Sequence, residues 1–391
     1  MKKDLTLVAT TAFGLEALAA HELRALGYDD VKVENGKATF QADWSGVARA
    51  NTWLRTAERV LIKLGEFPAR TFDELFDQTK ALPWEEFMPE DAMFPVEGKS
   101  HLSQLSSVPA CQGVVKKAIV EAMKRRYRRE VFAETGARYR ILVALHKDVA
   151  TLTLDTTGIG LHKRGYRKLT APAPLKETMA AALVTLSRWH PDRYLIDPFC
   201  GSGTIPIEAG LMARNIAPGL NRDFDASDWR VVPKGVWAEA QQEAQDLVRR
   251  DAEIRGIYGS DISAEVLSTA RYHAKEAGLE NDIFFEKKAL KDFQTKKKYG
   301  TIITNPPYGE RLGDKPEVDQ LYRDMGKVFA PLDTWGIYVL TPHVGFERLF
   351  DRVAHKKRKL YNGNIRCDLY QYFGKRPPRE QVVDETEPVT P

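Results

Sequence analysis

The chain opens with short apolar segments separated by turn signals. Leu5–Thr10 predicts a strand, and Leu15–Leu26 a helix with Leu15, Leu18, Ala19 and Leu23 on one face, stopped at Gly27. Residues 31–40 predict a hairpin turning at Asn35-Gly36. Asp43–Asn51 reads as a helix and Arg59–Leu64 as a strand. Alternating β and α pieces of this size suit a ferredoxin-like unit. A second group follows. Phe72–Leu82 predicts a helix with Phe72, Leu75, Phe76 and Leu82 as core candidates. Residues 92–99 predict an edge strand, because Pro95 cannot donate to a ladder. Val114–Arg129 predicts a helix with an apolar stripe at Val115, Ile119, Ala122 and Tyr127. Arg138–Leu145 and Val149–Asp155 pair as a hairpin through His146-Lys147-Asp148.

Beyond residue 175 the pattern changes to buried strands alternating with helices. A helix over Leu175–Trp189 would bury Met179, Leu183, Val184 and Leu186. The short apolar run Tyr194-Leu195-Ile196 then enters Asp197-Pro198-Phe199-Cys200-Gly201-Ser202-Gly203-Thr204, and a helix begins at Ile205. Strand, glycine turn and helix make the opening unit of a doubly wound sheet. Gly256–Ile262 reads as a second strand ending in Asp261, a carboxylate placed to bind ribose hydroxyls. The interval from Gly203 to Asp261 far exceeds the roughly 20 residues of a dinucleotide fold. It holds an irregular insertion over Asn215–Pro233, containing Pro218-Gly219 and Trp229, and a helix over Gly235–Arg255. Helix Ala264–Ala277, stopped by Gly278, precedes strand Ile283–Lys287 and the segment Ala289–Phe293. A further apolar strand, Thr301–Thr304, runs into Asn305-Pro306-Pro307-Tyr308-Gly309-Glu310-Arg311. Helix Val318–Phe329, strand Trp335–Leu340 and a hairpin over Lys357–Tyr361 and Ile365–Phe373, turning at Asn362-Gly363-Asn364, complete the domain. Ligands of open α/β sheets sit outside the carboxyl ends of the strands, and all three polar stretches lie there.

Charge refines this picture. The net charge of +4 permits a nucleic-acid partner without requiring one, so placement matters more. On the helix after residue 114, Lys116, Lys117, Lys124, Arg125, Arg128 and Arg129 are offset only by Glu121 and Glu130. Alone this is a solvated helix face; beside the motifs above it predicts phosphate contact. Leu161–Arg167 sets Lys163, Arg164 and Arg167 around Tyr166. That segment either stacks on a base and binds phosphate, or is a charged hairpin linking two domains. Pro172 and Pro174 stiffen the junction that follows. Cys111, Cys200 and Cys367 form no CxxC pair and no metal spacing, which points to no metal and to a reducing, cytoplasmic setting. No signal peptide or transmembrane run stands out, so no membrane partner is expected.

Asp-x-x-x-Gly-x-Gly at 197–203, the strand-end Asp261 and Asn305-Pro306-Pro307-Tyr308 together resemble the class I methyltransferases that use S-adenosylmethionine. The fuller wording, residues 197–209 with 305–313, is similar to the THUMP-domain RNA methyltransferases that form N2-methylguanine in large-subunit (23S) ribosomal RNA. The resemblance covers most of the chain. It implies an α/β protein whose C-terminal Rossmann-like sheet ends in an antiparallel hairpin, preceded by a ferredoxin-like unit and a THUMP-like RNA-binding domain. The expected divisions are 1–65, 66–160, a basic linker over 161–174, the methyltransferase domain over 175–374 and a disordered tail over 375–391. The cofactor would be S-adenosylmethionine, leaving as S-adenosylhomocysteine. Its binding residues would be Asp197, Phe199, Cys200, Gly201, Gly203, Thr204, Asp261, Ile262, Ala289, Asp292 and Asn305. Either the backbone near Ala289 or the Asp292 carboxylate would read the adenine amino group. Asn305, Pro306 and Tyr308 would hold the acceptor base, and the partner would be RNA, ribosomal RNA first among them.

The guanine amino lone pair is shared with the ring, so the nitrogen is a poor nucleophile that must be positioned. Asn305 and the Pro306 carbonyl can each accept one amino hydrogen, and Tyr308 can stack on a base swung out of its helix. Cys200 suggests the cysteine attack of cytosine-C5 enzymes, but its place inside the cofactor loop disfavours that role. Glu310 and Arg311 read as an ion pair bracing the loop, or Arg311 as a phosphate contact. Alternatives from other classes are a transfer-RNA guanine-N2 enzyme, a DNA adenine-N6 methyltransferase, a non-catalytic RNA-binding factor and, more distantly, a NAD dehydrogenase.

Overall fold

The computed structural model describes residues 4–169, 175–308 and 315–375. Pro172, Pro174, the Gly309–Arg311 end of the acceptor loop with its Glu310–Arg311 pair, and residues 376–391 of the tail lie outside the described residues. The architecture is α/β throughout, in two seven-stranded sheets.

The first sheet contains β1 (Leu5–Thr11), β2 (Lys32–Glu34), β3 (Lys37–Ala42), β4 (Ala57–Pro68), β5 (Val96–His101), β6 (Arg140–His146) and β7 (Val149–Asp155), in the order β2-β3-β1-β4-β7-β6-β5. Helices α1 (Glu16–Ala25), α2 (Trp44–Trp53), α3 (Phe72–Lys80) and α4 (Val108–Tyr127) accompany it. Strand β4 is twelve residues long, twice the length the pattern suggests, and joins the two expected N-terminal units. It pairs with β1 from Ala57 to Ile62 and with β7 from Leu61 to Pro68. The expected division at 65/66 therefore falls inside one strand. Strand β5 is at the edge, as Pro95 implies, and pairs in parallel with β6 alone.

Side-chain caps start two of these helices. Thr71 caps α3, with Glu74 returning the bond in a capping box, and Asp43 caps α2. Helix α4 starts six residues before the predicted Val114. Pro109 lies in its first turn, where backbone N–H groups have no helical partner, so it does not block the helix. Phe72 is half exposed rather than core, because the cap places it at the first helical position, while Leu75 is buried.

The second sheet contains β8 (Leu195–Asp197), β9 (Ile257–Asp261), β10 (Ile283–Lys287), β11 (Thr301–Thr304), β12 (Gly336–Thr341), β13 (Lys356–Asn362) and β14 (Ile365–Tyr372). Their order is β10-β9-β8-β11-β12-β14-β13, parallel except for β14, which runs antiparallel to both neighbours. Helices α5 (Glu177–Ser187), α6 (Thr204–Ala213) and α8 (Ala264–Glu276) contribute to one apolar core. Helices α9 (Lys315–Phe329) and α10 (Phe346–Leu349) contribute to another. Covered on both faces, β8 and β11 are fully buried, as central parallel strands are. The order of strands reverses between β8 and β11, which sets the ligand crevice there.

The insertion after α6 is irregular, but it is not a loose loop. Phe224, Ala226 and Trp229 enter the core of the first sheet, and Trp229 stacks on Tyr139 with ring centroids 4.5 Å apart. Helix α7 (Val236–Asp246) is shorter than the predicted Gly235–Arg255. After it the chain folds back, because the Arg214 guanidinium draws in the carbonyls of Arg249, Arg250 and Ala252 while pairing with Asp282.

Candidate active site

The loop from β8 to α6 is shaped by its own backbone bonds. Gly201 and Gly203 take φ values of +51° and +84°, which glycine adopts without strain. A Cβ on Gly203 would also lie 3.0 Å from the Phe285 ring and 3.1 Å from Ala270, so the turn is closed against β10 and α8. Cys200 donates its N–H to the Ser260 carbonyl at 3.0 Å, tying the loop to β9.

Two carboxylates organise this end of the sheet. Asp261 accepts from the N–H of Gly201 at 3.1 Å and of Ser263 at 3.0 Å. A carboxylate has about four acceptor sites, so capacity for ligand hydroxyls remains. Asp197 is buried, and its Oδ1 accepts from the Thr304 hydroxyl at 2.7 Å and the Phe199 N–H at 3.1 Å. Burial pushes its carboxyl up to about 7; the two hydrogen bonds oppose that shift and the Asp261 charge adds to it. The Asp197–Thr304 bond links the glycine loop directly to the strand that carries the Asn-Pro-Pro-Tyr sequence. Cys200 is buried, and burial together with the Asp197 and Asp261 charges raises its thiol well above the usual range. It is a packed, protonated group. Phe199 is half-buried, Ile262 is exposed at the end of β9, and Asp292 is exposed on a single-turn helix. The Ala289 carbonyl accepts the Asp292 N–H at 3.0 Å. The Thr204 hydroxyl is taken up by Arg167.

Asn305 and Pro306 follow β11 directly. The Asn305 Oδ1 is buried and accepts no hydrogen bond among the described residues. Leaving such an acceptor unmet costs about 1–3 kcal/mol, which a ligand donor would recover. The Tyr308 hydroxyl accepts from the Asn362 side chain at 3.0 Å. Asn362 ends β13 in the terminal hairpin, so that hairpin positions the acceptor loop. Sequence reasoning missed the roles of Thr304 and Asn362, since a strand threonine and a turn asparagine carry no distinguishing local signal. The fold thus gathers residues fitting a cationic adenosyl cofactor, positive-φ glycines and two strand-end carboxylates, and leaves an orphan acceptor beside them for a second ligand.

The basic residues divide into two groups. Arg164 and Tyr166 are 3% and 5% exposed, and both bond to Glu208 on α6. Arg167 pairs with Glu177 at 3.5 Å, donates to the Leu175 carbonyl at 3.3 Å and binds Thr204. These three are therefore structural groups, not RNA contacts. A charge removed from water needs ion pairs and hydrogen bonds of this kind. The clue lay 44 residues beyond Arg164, where Glu208 is the lone charge in an apolar helix. Lys163 is exposed. On α4, Lys116 is held by Glu134 at 2.5 Å and sits 3.5 Å from the Phe94 ring centroid. Lys124 pairs with Glu121 and Glu130, and Arg129 with Glu90. Among the described residues, Arg125, Arg128 and their unpredicted neighbour Arg126 remain exposed and unpaired, and Lys117 is exposed near Phe76. No His, Cys, Asp or Glu cluster among the described residues could hold a metal, and no described helix is long and apolar enough to cross a membrane.

Comparison with known proteins agrees with this architecture. Family models match an RlmL ferredoxin-like domain over residues 6–61, a THUMP domain over 69–155 and an RMKL-like methyltransferase domain over 164–371. YpsC of Bacillus subtilis (strain 168), provisionally named an RNA methyltransferase, is 50% identical over 383 residues, 97% of this chain and 99% of that one. The ribosomal RNA large subunit methyltransferase K/L of Syntrophotalea carbinolica is 35% identical over 387 residues; the match takes in 95% of this chain and 54% of that longer protein. The crystal structure of SMU.472, provisionally a methyltransferase and complexed with SAH, shares 46% identity over 97% of this chain and all of its own, with a TM-score of 0.91. The chain thus belongs to the RMKL-like family of S-adenosylmethionine-dependent RNA methyltransferases, with an RlmL ferredoxin-like domain and a THUMP domain ahead of its methyltransferase domain.

Proposed function

We propose that this enzyme methylates the exocyclic N2 of a guanine in large-subunit ribosomal RNA. The observation that carries the reading is the buried Asn305 Oδ1 beside Pro306, unpartnered among the described residues, at the strand end linked through Thr304 to the glycine loop. S-adenosylmethionine supplies a methyl group on a positively charged sulfur. Asp261 would bind the ribose hydroxyls, the loop around Gly201 and Gly203 would let backbone approach the ligand, and Asp197 would supply negative charge. The Ala289 backbone or the Asp292 carboxylate would read the adenine amino group. Asn305 accepts one amino hydrogen of the guanine and the Pro306 carbonyl the other, which turns the nitrogen lone pair towards the reacting carbon. Two consecutive prolines stiffen this loop and add no competing N–H. Tyr308, oriented by Asn362, stacks on the extruded base. Alignment in a water-poor pocket then supplies much of the rate. The ribosomal target is supported by the similarity to methyltransferase K/L, and RNA capture by the THUMP domain.

The test is transfer of labelled methyl to ribosomal RNA, transfer RNA and DNA from cells lacking the protein, with the modified base mapped. Label on N2 of a ribosomal guanine is expected; label on transfer RNA or on adenine overturns the assignment. Asn305→Ala should fold and bind cofactor and RNA, yet lose most single-turnover transfer, because its amide acts mainly in the transition state. Full activity of that variant would sink the positioning mechanism.

A further inference from the structure

A cleft of about 490 Å³ separates the first sheet from the terminal hairpin of the second. Its volume is in the range of small-molecule sites, roughly 300–1,000 Å³. One wall is the loop after β1, where Phe13 stands 55% exposed. The other is the turn from Tyr361 to Asn364, and Glu58, Lys176 and Thr178 form the floor.

Three features make this a formed site rather than a gap between domains. The Phe13 loop is pinned. Gly14 has a φ of +92° and lies so close to β13 that a Cβ would be 2.8 Å from the Lys359 carbonyl, while its own carbonyl accepts from Arg358 at 2.7 Å. Phe13 meets Tyr361 edge-on at 5.9 Å between centroids, an aromatic pair that supports the protruding ring. The cleft also reaches the acceptor loop, since Asn362 on its wall is the residue that holds the Tyr308 hydroxyl.

Its chemistry suits a nucleotide. Asn362 and Asn364 carry amides able to read base edges. Among the described residues, Glu58 is the one acidic group lining the cleft. Against its burial, bonds from His162 and Thr178 and the Lys176 charge hold its carboxyl down to about 2, so its charge is already matched. Arg366, the cross-strand partner of Tyr361, is exposed and unpaired among the described residues, as is Lys359. Both stand on the hairpin whose turn walls the cleft, and a basic surface leading to an exposed aromatic ring is a pattern by which proteins hold unpaired bases and their phosphates.

We propose that this cleft is a second base-binding subsite, in which Phe13 stacks on an unpaired RNA nucleotide flanking the target. The proposal rests on the RNA reading above. An extruded target base draws its neighbours out of the helix, and a neighbour passing Asn362 enters the cleft. Phe13 then acts in substrate positioning, upstream of the reacting atoms.

Phe13→Ala, Phe13→Leu and Phe13→Trp in the full chain test this, using a labelled random-sequence single-stranded 12-nucleotide RNA for binding and ribosomal RNA from cells lacking the protein for turnover. S-adenosylhomocysteine affinity serves as the folding control. Stacking is worth about 1–3 kcal/mol per base. Alanine and leucine should therefore weaken oligonucleotide binding about tenfold and raise the KM for ribosomal RNA similarly, with little change in kcat, and tryptophan should restore both. Wild-type binding in the alanine variant overturns the proposal, as does rescue by leucine, which would indicate packing rather than stacking. Failure of the wild type to bind the oligonucleotide overturns it too. If the wild type binds RNA but methylates none, the assigned reaction falls, and the subsite stands or falls on the binding data alone.

Discussion

Asp197 has its carboxyl pushed up to about 7 by burial, at the point where the glycine loop meets β11. Between its ordinary 3.8 and that value, the native state holds a proton that the unfolded chain has released. Its contribution to stability therefore falls as pH rises from about 4 to about 7, and is flat above that. Cofactor binding should show the complementary trend. If the negative form of Asp197 favours a cationic ligand, S-adenosylmethionine affinity falls as pH drops below about 7. Calorimetric titration from pH 5.5 to 8.5 measures this, and Asp197→Asn should flatten the profile and weaken binding at the alkaline end. A wild-type profile as flat as the variant's would exclude the role. The Cys200 thiol is raised above this whole range and should contribute no inflection.

Helix α4 shows that charge on an element is divided by its surroundings. Glu134, Glu121, Glu130 and Glu90 take up Lys116, Lys124 and Arg129, leaving Arg125, Arg126 and Arg128 at its C-terminal end. Reversing those three to glutamate should weaken RNA binding and reduce the slope of log affinity against log salt by about 0.7–0.9 for each phosphate no longer neutralised. Lys124→Ala should leave that slope nearly unchanged, because its charge is already paired. Equal effects from both sets, read by filter binding across a salt series, would mean that the helix contributes only general charge.

On the scale of the whole molecule, the catalytic half is bolted to the RNA-capturing half by the insertion that follows α6. Trp229 is buried against Tyr139, and its indole N–H donates to the Arg138 carbonyl at 2.8 Å. Arg49 on α2 grips Glu243 on α7 with two bonds, at 2.8 and 2.9 Å. Trp229→Ala should cost about 3–5 kcal/mol, as large buried truncations do. The loss should appear as a separated first unfolding transition in calorimetry, because it loosens the junction between the two sheets. A single transition at the wild-type temperature would show that the insertion is not a structural bolt.

Local rules determined most of the elements. Alternation and glycine stops marked the strands and helices, and the order of buried strands announced a doubly wound sheet. The glycine turn, Asp261 and the Asn-Pro-Pro-Tyr stretch were legible because each combines an apolar strand with polar residues at its end. Tertiary structure alone decided matters that depend on groups far apart in the chain. Arg164, Tyr166 and Arg167 look like a basic surface until Glu177 and Glu208 fold against them. Strand β4 reads as the closing strand of a first unit until β1 and β7 pair along it. Thr304 and Asn362 acquire roles only once Asp197 and Tyr308 come within hydrogen-bonding reach. A propensity is a property of neighbouring residues, whereas desolvation, ion pairing and strand pairing depend on which distant groups share the same space.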